Sequence, residues 1–345
     1  MRAVVVDGVG VAPSVRVVDD PVAPVGGVVV DVHATGLCRS DWHGWAGHDD
    51  IRFPHVPGHE LAGVVSAVGE GVRSWTVGDR VTVPFVCGCG RCRWCLTGEA
   101  QVCPDQEQPG FTHWGSFAER VALHAADTNL VSVPDEVSMP AAAALGCRFA
   151  TAYRALTARA AVAEGEWVVV VGAGGVGLSA VMIAAALGAH VIAVDRTEEA
   201  LAAAVRLGAR QTVRADGRDV PDAVRALVPE GADVSIDAVG SERTCADAVL
   251  SLRRRGRHVQ IGLLPSASGL SAVPMARAIA WELDLRGSHG MAAADYPGML
   301  ALIRDGRLHP GALVERTVGL EEAAILLPRM PEARPAGLTM IDPRR

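Results

Sequence analysis

Four of the eight cysteines lie in one short glycine-containing stretch, and their spacing constrains the fold more than any other feature of the chain. They follow the pattern C-x2-C-x2-C-x7-C, at Cys89, Cys92, Cys95 and Cys103. Thiolates separated by two residues on tight turns converge on a common centre, which suits tetrahedral Zn²⁺ with Zn–S bonds of about 2.3 Å. Four sulfur ligands leave no position for a substrate. We therefore predict a structural zinc, held by a lobe at about residues 87–105.

Other residues of the types that bind zinc are spread more widely along the sequence. Cys38, the pair His59-Glu60 and Cys147 lie outside the cluster. Catalytic zinc sites keep three protein ligands and one open position, so these residues could build a second, open site. The two remaining cysteines fit neither set, and we interpret Cys87 and Cys245 as buried or incidental thiols.

Length and charge limit the classes of function that need to be considered. A chain of 345 residues is expected to form two domains. The net charge is −7, and the longest basic run is Arg253-Arg254-Arg255, so we expect small-molecule ligands rather than nucleic acid or a membrane surface. Lysine is absent from the sequence. This excludes a Schiff-base lysine, a phosphate-loop lysine and the Tyr-x-x-x-Lys chemistry of short-chain dehydrogenases.

The N-terminal sequence lacks the cationic flank, long apolar run and cleavage site of a secretory signal, so we expect a cytoplasmic protein. Thiols stay reduced in the cytoplasm, which favours metal ligands over disulfides for the cysteine cluster. The stretch between Glu166 and Asp195 has the hydropathy of a membrane span. Because glycines interrupt it and its first residues are mostly valine, we interpret it as a buried strand followed by a turn.

The secondary-structure pattern changes after the first 150 or so residues. Residues 1–148 show short valine-rich strands and turns, and we predict a mostly β domain there. Residues 149–288 show strand, glycine turn and alanine-rich helix in alternation from Trp167 onward, which is typical of a parallel sheet with βαβ connections. Residues 289–345 return to short mixed segments that we expect to pack on the first domain.

A glycine-rich turn in the second domain predicts a dinucleotide site. Gly172, Gly174, Gly175, Val176 and Gly177 belong to a G-x-G-x-x-G motif that follows a buried strand and opens a helix. The N–H groups at such a helix start can bind a pyrophosphate.

The strand that follows this motif predicts which cofactor is preferred. It ends in Asp195, whose carboxylate can bind the ribose hydroxyls and repel a 2′-phosphate, so NAD(H) is favoured over NADP(H). Arg196 follows and leaves open whether NADP is also accepted. The alternative is that the glycines form only a tight turn and that Asp195 only caps the next helix.

Five motifs in order resemble those of zinc-dependent medium-chain alcohol dehydrogenases. They are Gly36-Leu37-Cys38-Arg39-Ser40-Asp41, Gly58-His59-Glu60-Leu61-Ala62-Gly63, the cysteine cluster, Leu145-Gly146-Cys147 and the dinucleotide loop. The resemblance covers essentially the whole chain. It implies an α/β protein with a β-rich GroES-like catalytic domain and a doubly wound Rossmann domain. It also implies two zinc ions per subunit, NAD(H), and homodimers or homotetramers formed through the edge of the Rossmann sheet.

The resemblance assigns a catalytic zinc to Cys38, His59 and Cys147, the Cys2His ligand set for which alcohol dehydrogenase is the known example. Glu60 is expected close to the metal. Asp41 is expected to bind the far nitrogen of His59, although it could instead be a simple turn carboxylate.

Further roles follow from the same resemblance. Ser40 and His43 match a proton relay that runs from the substrate hydroxyl through the cofactor ribose toward solvent, with a purely structural His43 as the alternative. Arg39 resembles the position that contacts the cofactor's pyrophosphate in this family, and the alternative is a surface arginine. Thr151, Ile261 and Leu263 match positions beside the nicotinamide.

Large apolar side chains near the predicted ligands are candidates for a substrate pocket, namely Trp42, Trp45, Phe85 and Trp114, with Leu263 as a further candidate. Core packing is an equal alternative for each of them.

The predicted function is reversible hydride transfer between a primary or secondary alcohol and NAD⁺. One alternative keeps the fold and changes the substrate to a polyol, an amino alcohol, an aldehyde or a ketone. An alternative of another class is a non-catalytic zinc- or nucleotide-binding module. The sequence does not identify the physiological substrate or the direction of the reaction.

Overall fold

The computed structural model describes residues 1–264, 268–332 and 337–345. Its strands are β1 (Arg2–Val5), β2 (Ser14–Val17), β3 (Val28–Gly36), β4 (Leu61–Val68), β5 (Arg80–Thr82), β6 (Arg120–Leu123), β7 (Val131–Ser132), β8 (Trp167–Val171), β9 (His190–Asp195), β10 (Gln211–Arg214), β11 (Ala232–Asp237), β12 (Leu252–Gln260), β13 (Asp284–Gly287), β14 (Val314–Val318) and β15 (Leu338–Ile341).

The α-helices are α1 (Arg39–Trp45), α2 (Arg93–Leu96), α3 (Ala126–Asn129), α4 (Met139–Ala144), α5 (Ala150–Arg154), α6 (Gly175–Ala186), α7 (Glu198–Arg206), α8 (Val220–Leu227), α9 (Glu242–Leu250), α10 (Met275–Trp281), α11 (Tyr296–Arg304) and α12 (Leu320–Arg329). Within the described ranges, two segments are π-helical, Leu145–Phe149 and Ala155–Arg159. Three are 3₁₀-helical: Ala100–Val102, Ala293–Asp295 and Pro310–Leu313.

The chain divides into two units. The first contains Met1–Ala150, Gly290–Ala301 and Pro310–Arg345, and the second contains Thr151–His289 and Leu302–His309. The prediction from sequence assigned all of residues 289–345 to the first domain, whereas the structure groups the short segment Leu302–His309 with the second unit.

A mixed sheet forms the centre of the first unit, with strand order β14-β15-β3-β4-β5-β7 and with β6 also paired to β3. Its longest pairing is the antiparallel one between β3 and β4. A separate hairpin of β1 and β2 is covered by α12. The face of α12 that packs there carries apolar residues at helical spacing, Leu320, Ala323, Ala324 and Leu327.

The second unit contains a six-stranded parallel sheet of order β10-β9-β8-β11-β12-β13. This is the order of a doubly wound Rossmann sheet, in which the strand order reverses between the neighbouring parallel strands β8 and β11. The central strand β8 consists of a tryptophan and four valines, and those valines are buried, as expected for a strand covered on both faces. The α/β fold with a parallel sheet that the sequence predicts is therefore confirmed.

The uncharged stretch between Glu166 and Asp195 forms β8, α6 and β9 rather than one long helix. In the part of the chain that the structure describes, no helix combines the length and the apolar character needed to cross a bilayer.

Candidate active site and metal centres

Three separate elements of the first unit bring one cluster of ligand-type side chains together. Cys38 immediately precedes α1, His59 and Glu60 immediately precede β4, and Cys147 lies in the π-helical segment Leu145–Phe149. Each of the four side chains offers a ligand atom, and these atoms all lie within 4.8 Å of one another. Single π-helical turns occur often at functional sites, a signal at Cys147 that the sequence did not reveal.

The carboxylate of Asp41 fixes this cluster from one side. Its Oδ2 accepts the backbone N–H of Cys38 at 2.9 Å, and its Oδ1 accepts the backbone N–H of Gly58 at 3.1 Å. Oδ1 also lies 2.9 Å from Nδ1 of His59. Since a carboxylate accepts, His59 donates from Nδ1, and in the neutral imidazole the lone pair is then on Nε2. That Nε2 atom is buried and has no hydrogen-bond partner among the described residues.

The electrostatics of the cluster favour a positive charge at its centre. The hydrogen bond from Cys147 lowers the pKa of Cys38 well below its ordinary value, although burial opposes this. The same contact and burial raise the pKa of Cys147 well above its ordinary value. Of the two neighbouring thiols, Cys38 is therefore the one whose thiolate is favoured. Two cysteine sulfurs and the imidazole Nε2 of a histidine are donors that fit a zinc ion.

We expect Asp41→Asn to weaken metal binding at this cluster by about 10- to 100-fold, because hydrogen-bond partners of ligands typically contribute that much. The asparagine amide has the same shape as the carboxylate of Asp41. Its oxygen can accept the N–H of His59, but it carries no full negative charge. Competition with a chelator, followed by metal analysis of the folded protein, measures the change. The exposed Asp135 supplies a control in Asp135→Asn, and equal metal affinity in the two variants would contradict this role of Asp41.

A buried ion pair that the sequence analysis did not predict lies beside the cluster. The guanidinium of Arg148, directly after Cys147, donates to both carboxylate oxygens of Glu60. The two residues are 88 positions apart in the chain. The sequence shows that an arginine follows Cys147, but this does not identify Glu60 as its partner.

The predicted relay residues lie on the short helix α1. The Oγ of Ser40 is 3.9 Å from Sγ of Cys38, and His43 lies three positions later, on the same helix face. Nδ1 of His43 is 2.8 Å from Nδ1 of the exposed His48. Burial lowers the pKa of His43, with help from His48, so His43 is neutral near pH 7. Arg39 is exposed and stacks over the ring of Trp42; its pyrophosphate contact stays a prediction.

Two phenylalanines, rather than the tryptophans, lie beside His59. The ring centroids of Phe85 and Phe111 are 6.1 and 5.3 Å from the imidazole. Phe85 belongs to the predicted pocket, whereas Phe111 was missed. Trp42 and Trp45 instead pack against the core that contains α12 and β1.

The fourth predicted pocket residue, Trp114, is 39% exposed, and its indole N–H donates to the carbonyl of Pro54. The structure therefore brings Phe85 to the cluster and packs the partly buried Trp42 and Trp45 against that core. Their role in a substrate pocket stays a prediction.

The four cysteines predicted to hold a structural zinc form a second compact group of sulfur atoms. Sγ of Cys92 is 3.6 Å from that of Cys95 and 3.7 Å from that of Cys103. Tetrahedral zinc with Zn–S bonds of about 2.3 Å requires sulfur atoms about 3.8 Å apart, so these sulfur positions fit zinc. Backbone N–H groups of Arg91 and Cys92 lower the pKa of Cys89 to about 6, which favours its thiolate.

The other two cysteines lie outside both clusters. Cys87 is buried, and burial raises the pKa of its thiol to about 12. Burial also raises the pKa of Cys245 to about 11. Neither thiol is a nucleophile at neutral pH.

In the second unit, the glycine-rich loop connects β8 to α6, whose first residues include Gly175 and Val176. A Cβ on Gly177 would lie 1.7 Å from the carbonyl oxygen of Gly172, so the loop closes tightly against the helix. A Cβ on Gly174 would meet no atom within 4 Å, so this part of the loop faces open space. Such a loop leaves room for a pyrophosphate at the start of α6.

Asp195 ends β9 beside this loop. Its Oδ2 accepts the backbone N–H of Ala173 at 2.8 Å, and its Oδ1 accepts those of Arg196 and Thr197 at 2.7 and 3.1 Å. Thr197, not Asp195, caps α7. The side chain of Arg196 is exposed.

The three positions predicted beside a nicotinamide also belong to the second unit. Thr151 is buried, and its hydroxyl has no hydrogen-bond partner within the described chain, as expected of a group that awaits a ligand. Ile261 follows the end of β12, and its backbone N–H donates to the carbonyl of Asp237. Leu263 is 75% exposed. These roles stay predictions.

Comparison with known proteins identifies the family. The family described as "Alcohol dehydrogenase GroES-like domain" matches residues 24–135, and that described as "Zinc-binding dehydrogenase" matches residues 175–305. An alcohol dehydrogenase of Geobacillus stearothermophilus is 32% identical over 97% of this chain and 96% of its own length.

Two further proteins extend the match. An NAD-dependent alcohol dehydrogenase of Sulfurisphaera tokodaii is 31% identical over 92% of both proteins. The structure of alcohol dehydrogenase TADH from Thermus sp. ATN1 superimposes with a TM-score of 0.90 at 31% identity, over 99% of both chains. With its GroES-like and Rossmann parts, the chain is an oxidoreductase that belongs to the zinc-dependent medium-chain dehydrogenase/reductase family.

Proposed function

We propose that this protein oxidises primary or secondary alcohols, and reduces the corresponding carbonyl compounds, with zinc and NAD(H) as cofactors. The observation that carries the proposal is the convergence of Cys38, His59 and Cys147 around the unpaired Nε2 of His59. Three ligands of this kind leave a coordination position for a substrate, whereas the four-cysteine group does not. A zinc- or nucleotide-binding module would need no open position. We therefore expect two zinc ions per subunit.

When bound at the open site, zinc supplies a Lewis acid that favours loss of the substrate's hydroxyl proton. The chain's own residues prepare the site for this. Asp41 holds His59 in the tautomer that presents Nε2. The rings of Phe85 and Phe111 make the surroundings of His59 apolar, which strengthens electrostatic interactions there.

The hydroxyl proton needs an acceptor and a route to solvent. We propose that Ser40 receives it, since its hydroxyl lies 3.9 Å from Sγ of Cys38. His43, on the same face of α1, is neutral near pH 7 and can take up the proton. Its contact with the exposed His48 then gives the proton a way out.

NAD, when bound, supplies the hydride acceptor. The loop Gly172–Gly177 leaves room for a pyrophosphate, and the position of Asp195 at the end of β9 supports its assignment to the adenosine ribose, which an acidic residue at this strand end binds in dinucleotide-binding Rossmann folds. The Sulfurisphaera tokodaii relative is NAD-dependent, in agreement with an acidic residue here.

We expect Asp195→Ala to lower the preference for NAD over NADP by about 10- to 100-fold, because the lost hydrogen bonds to a charged group contribute about 1.5–3 kcal/mol. The preference is measured as the ratio of kcat/KM for the two cofactors. Asp195→Asn keeps an acceptor for the N–H of Ala173 and separates loss of charge from loosening of the loop. An unchanged ratio in both variants would refute the assignment of Asp195 to the ribose.

Turnover itself is tested with a panel of primary, secondary, cyclic, aromatic and polyol alcohols, by following the near-ultraviolet absorbance of the reduced nicotinamide. The proposal predicts NADH formation with at least one class of alcohol, and the class identifies the substrate chemistry. Reduction of aldehydes and ketones covers the reverse direction. Two bound zinc ions without turnover in either direction would favour the non-catalytic alternative.

We also propose that the protein forms homodimers or homotetramers through the edge strand β13. Among the described residues, β13 pairs with β12 on one side only. An open strand edge can pair with the same strand of a second copy. Light scattering of the purified protein is expected to give two or four times the chain mass of 35.9 kDa, and a monomer would contradict this proposal.

A further inference from the structure

The buried pair of Glu60 and Arg148 has no role in the mechanism proposed above. Nε of Arg148 donates to Oε1 of Glu60 at 2.8 Å and to Oε2 at 3.1 Å, and the backbone N–H of Arg148 donates to Oε1 at 3.2 Å. A terminal guanidinium nitrogen also bonds to Oε2. The carboxylate is fully buried, and the side chain of Arg148 is 10% exposed. Glu60 follows His59, and Arg148 follows Cys147, so both are chain neighbours of proposed ligands.

Glu60 is close enough to become a metal ligand. One of its carboxylate oxygens lies within 4.8 Å of the ligand atoms of Cys38, His59 and Cys147. Carboxylate oxygens bind zinc at about 2.0–2.2 Å. A rotation of the Glu60 side chain would therefore complete a shell of four protein ligands and occupy the position that a substrate oxygen needs.

Charge balance determines whether Glu60 pairs with Arg148 or binds the metal. Two thiolates, from Cys38 and Cys147, balance a divalent cation, so the carboxylate of Glu60 adds one negative charge in excess. A buried carboxylate without a partner is strongly destabilising. Glu60 must therefore pair with Arg148 or with the metal, and the several bonds from Arg148 engage both of its oxygens.

The side chains of Glu60 and Arg148 occupy space beside Gly36, at the end of β3, where a larger residue would meet them. A Cβ on Gly36 would lie 2.1 Å from Oε2 of Glu60 and 2.8 Å from a terminal nitrogen of Arg148. No other residue type fits at position 36 while the pair stays where it is. The end of β3 is thus shaped to receive the ion pair.

We propose that Arg148 is a positioning residue that holds Glu60 outside the metal's ligand shell, and thereby keeps one coordination position available to the substrate. The inference rests on the proposed catalytic zinc site. Arg148, the residue after the third proposed ligand Cys147, then keeps the fourth coordination position free.

Cobalt substitution tests this directly, because the visible spectrum of Co²⁺ reports its coordination number and donor atoms. In enzyme that carries cobalt only in place of the catalytic zinc, Arg148→Met is expected to change the spectrum, since Glu60 becomes a ligand. The double variant Glu60→Gln/Arg148→Met is expected to regain the wild-type spectrum. The KM for alcohol should rise at least tenfold in Arg148→Met and fall again in the double variant.

Two controls make the outcome decisive. Arg257→Met breaks the partly buried pair of Arg257 and Glu166 in the second unit, and it is expected to leave the cobalt spectrum unchanged. Glu60→Gln alone should also keep the wild-type spectrum, and this arm serves even if Arg148→Met does not fold. A changed spectrum in Glu60→Gln would show that Glu60 already binds the metal and would overturn the inference.

A further outcome separates this inference from the proposed function. If Arg148→Met keeps the wild-type spectrum, Arg148 does not restrain Glu60, although the zinc site itself stands. If wild-type enzyme shows no thiolate-to-cobalt absorption at the second site, the proposed catalytic site is wrong, and the inference about Arg148 is overturned with it.

Discussion

Replacing Cys38 with serine is expected to remove one of two zinc ions per subunit and to lower the rate of alcohol oxidation by about a thousandfold or more. The expected size follows from the several kcal/mol that a Lewis acid contributes to a transition state, at about 1.4 kcal/mol for each factor of ten. Cys38 supplies the more anionic of the two thiols, because its hydrogen bond from Cys147 lowers its pKa. Metal analysis together with single-turnover kinetics measures both effects.

The matched control is Cys245→Ser, which makes the same chemical change at a buried thiol of α9 outside both clusters. It should retain two zinc ions and most of the activity. If Cys38→Ser also retained two zinc ions with full turnover, the assignment of the catalytic site would be wrong.

Replacing Cys103 with serine is expected to destabilise the first unit by about 4 kcal/mol, since loss of a metal is among the few changes that cost this much. For a unit of this size, each kcal/mol corresponds to about 2–4 °C, so we expect the melting temperature to fall by about 10 °C. Cys103 is the buried member of the four-cysteine group. Calorimetry with parallel zinc analysis measures the change, and protein that remains folded should keep its catalytic zinc.

Cys87→Ser provides the comparison for this variant. Cys87 is buried near the same lobe, and its Sγ lies 3.4 Å from the carbonyl oxygen of Pro84, which a serine hydroxyl can also reach. Its effect should be much smaller. A Cys103→Ser protein with unchanged melting temperature and two zinc ions would show that the four cysteines do not hold a structural metal.

The four-cysteine group and the glycine loop could be predicted from sequence because their residue types and spacing are fixed by chemistry, whereas the group of Cys38, His59 and Cys147 was predicted from the resemblance of its motifs. A turn that closes on its own helix requires glycine at Gly177, and the four-cysteine spacing suits one kind of ion. The buried strand β8 was equally clear, since a run of valines between polar residues favours a strand covered on both faces.

The edges of the Rossmann sheet could not be predicted in the same way. The edge strands β10 and β13 are short and largely exposed, so they carry no apolar pattern. β12 begins at Leu252, several residues before the apolar part of the strand. Its first half contains three arginines and a glycine, and one of them, Arg253, is paired with Asp233 of the neighbouring strand.

The surroundings of the proposed metal site depend on contacts between residues that are far apart in the chain. Phe111 lies beside His59 because of the path of the loop that carries it, and no motif marks it. The pair of Glu60 and Arg148 is likewise a product of folding. The tryptophans near the ligands were less informative, because large apolar residues serve equally well in a core.

The most direct test of the central claim is to follow deuterium from an alcohol labelled on its carbinol carbon. A substrate identified in the alcohol panel is oxidised with NAD, and the NADH formed is analysed by mass spectrometry and NMR. Direct hydride transfer predicts NADH that carries one deuterium at C4 of the nicotinamide, formed at a rate that falls when Cys38 is replaced. Unlabelled NADH, or labelled NADH formed equally fast by Cys38→Ser, would contradict the account.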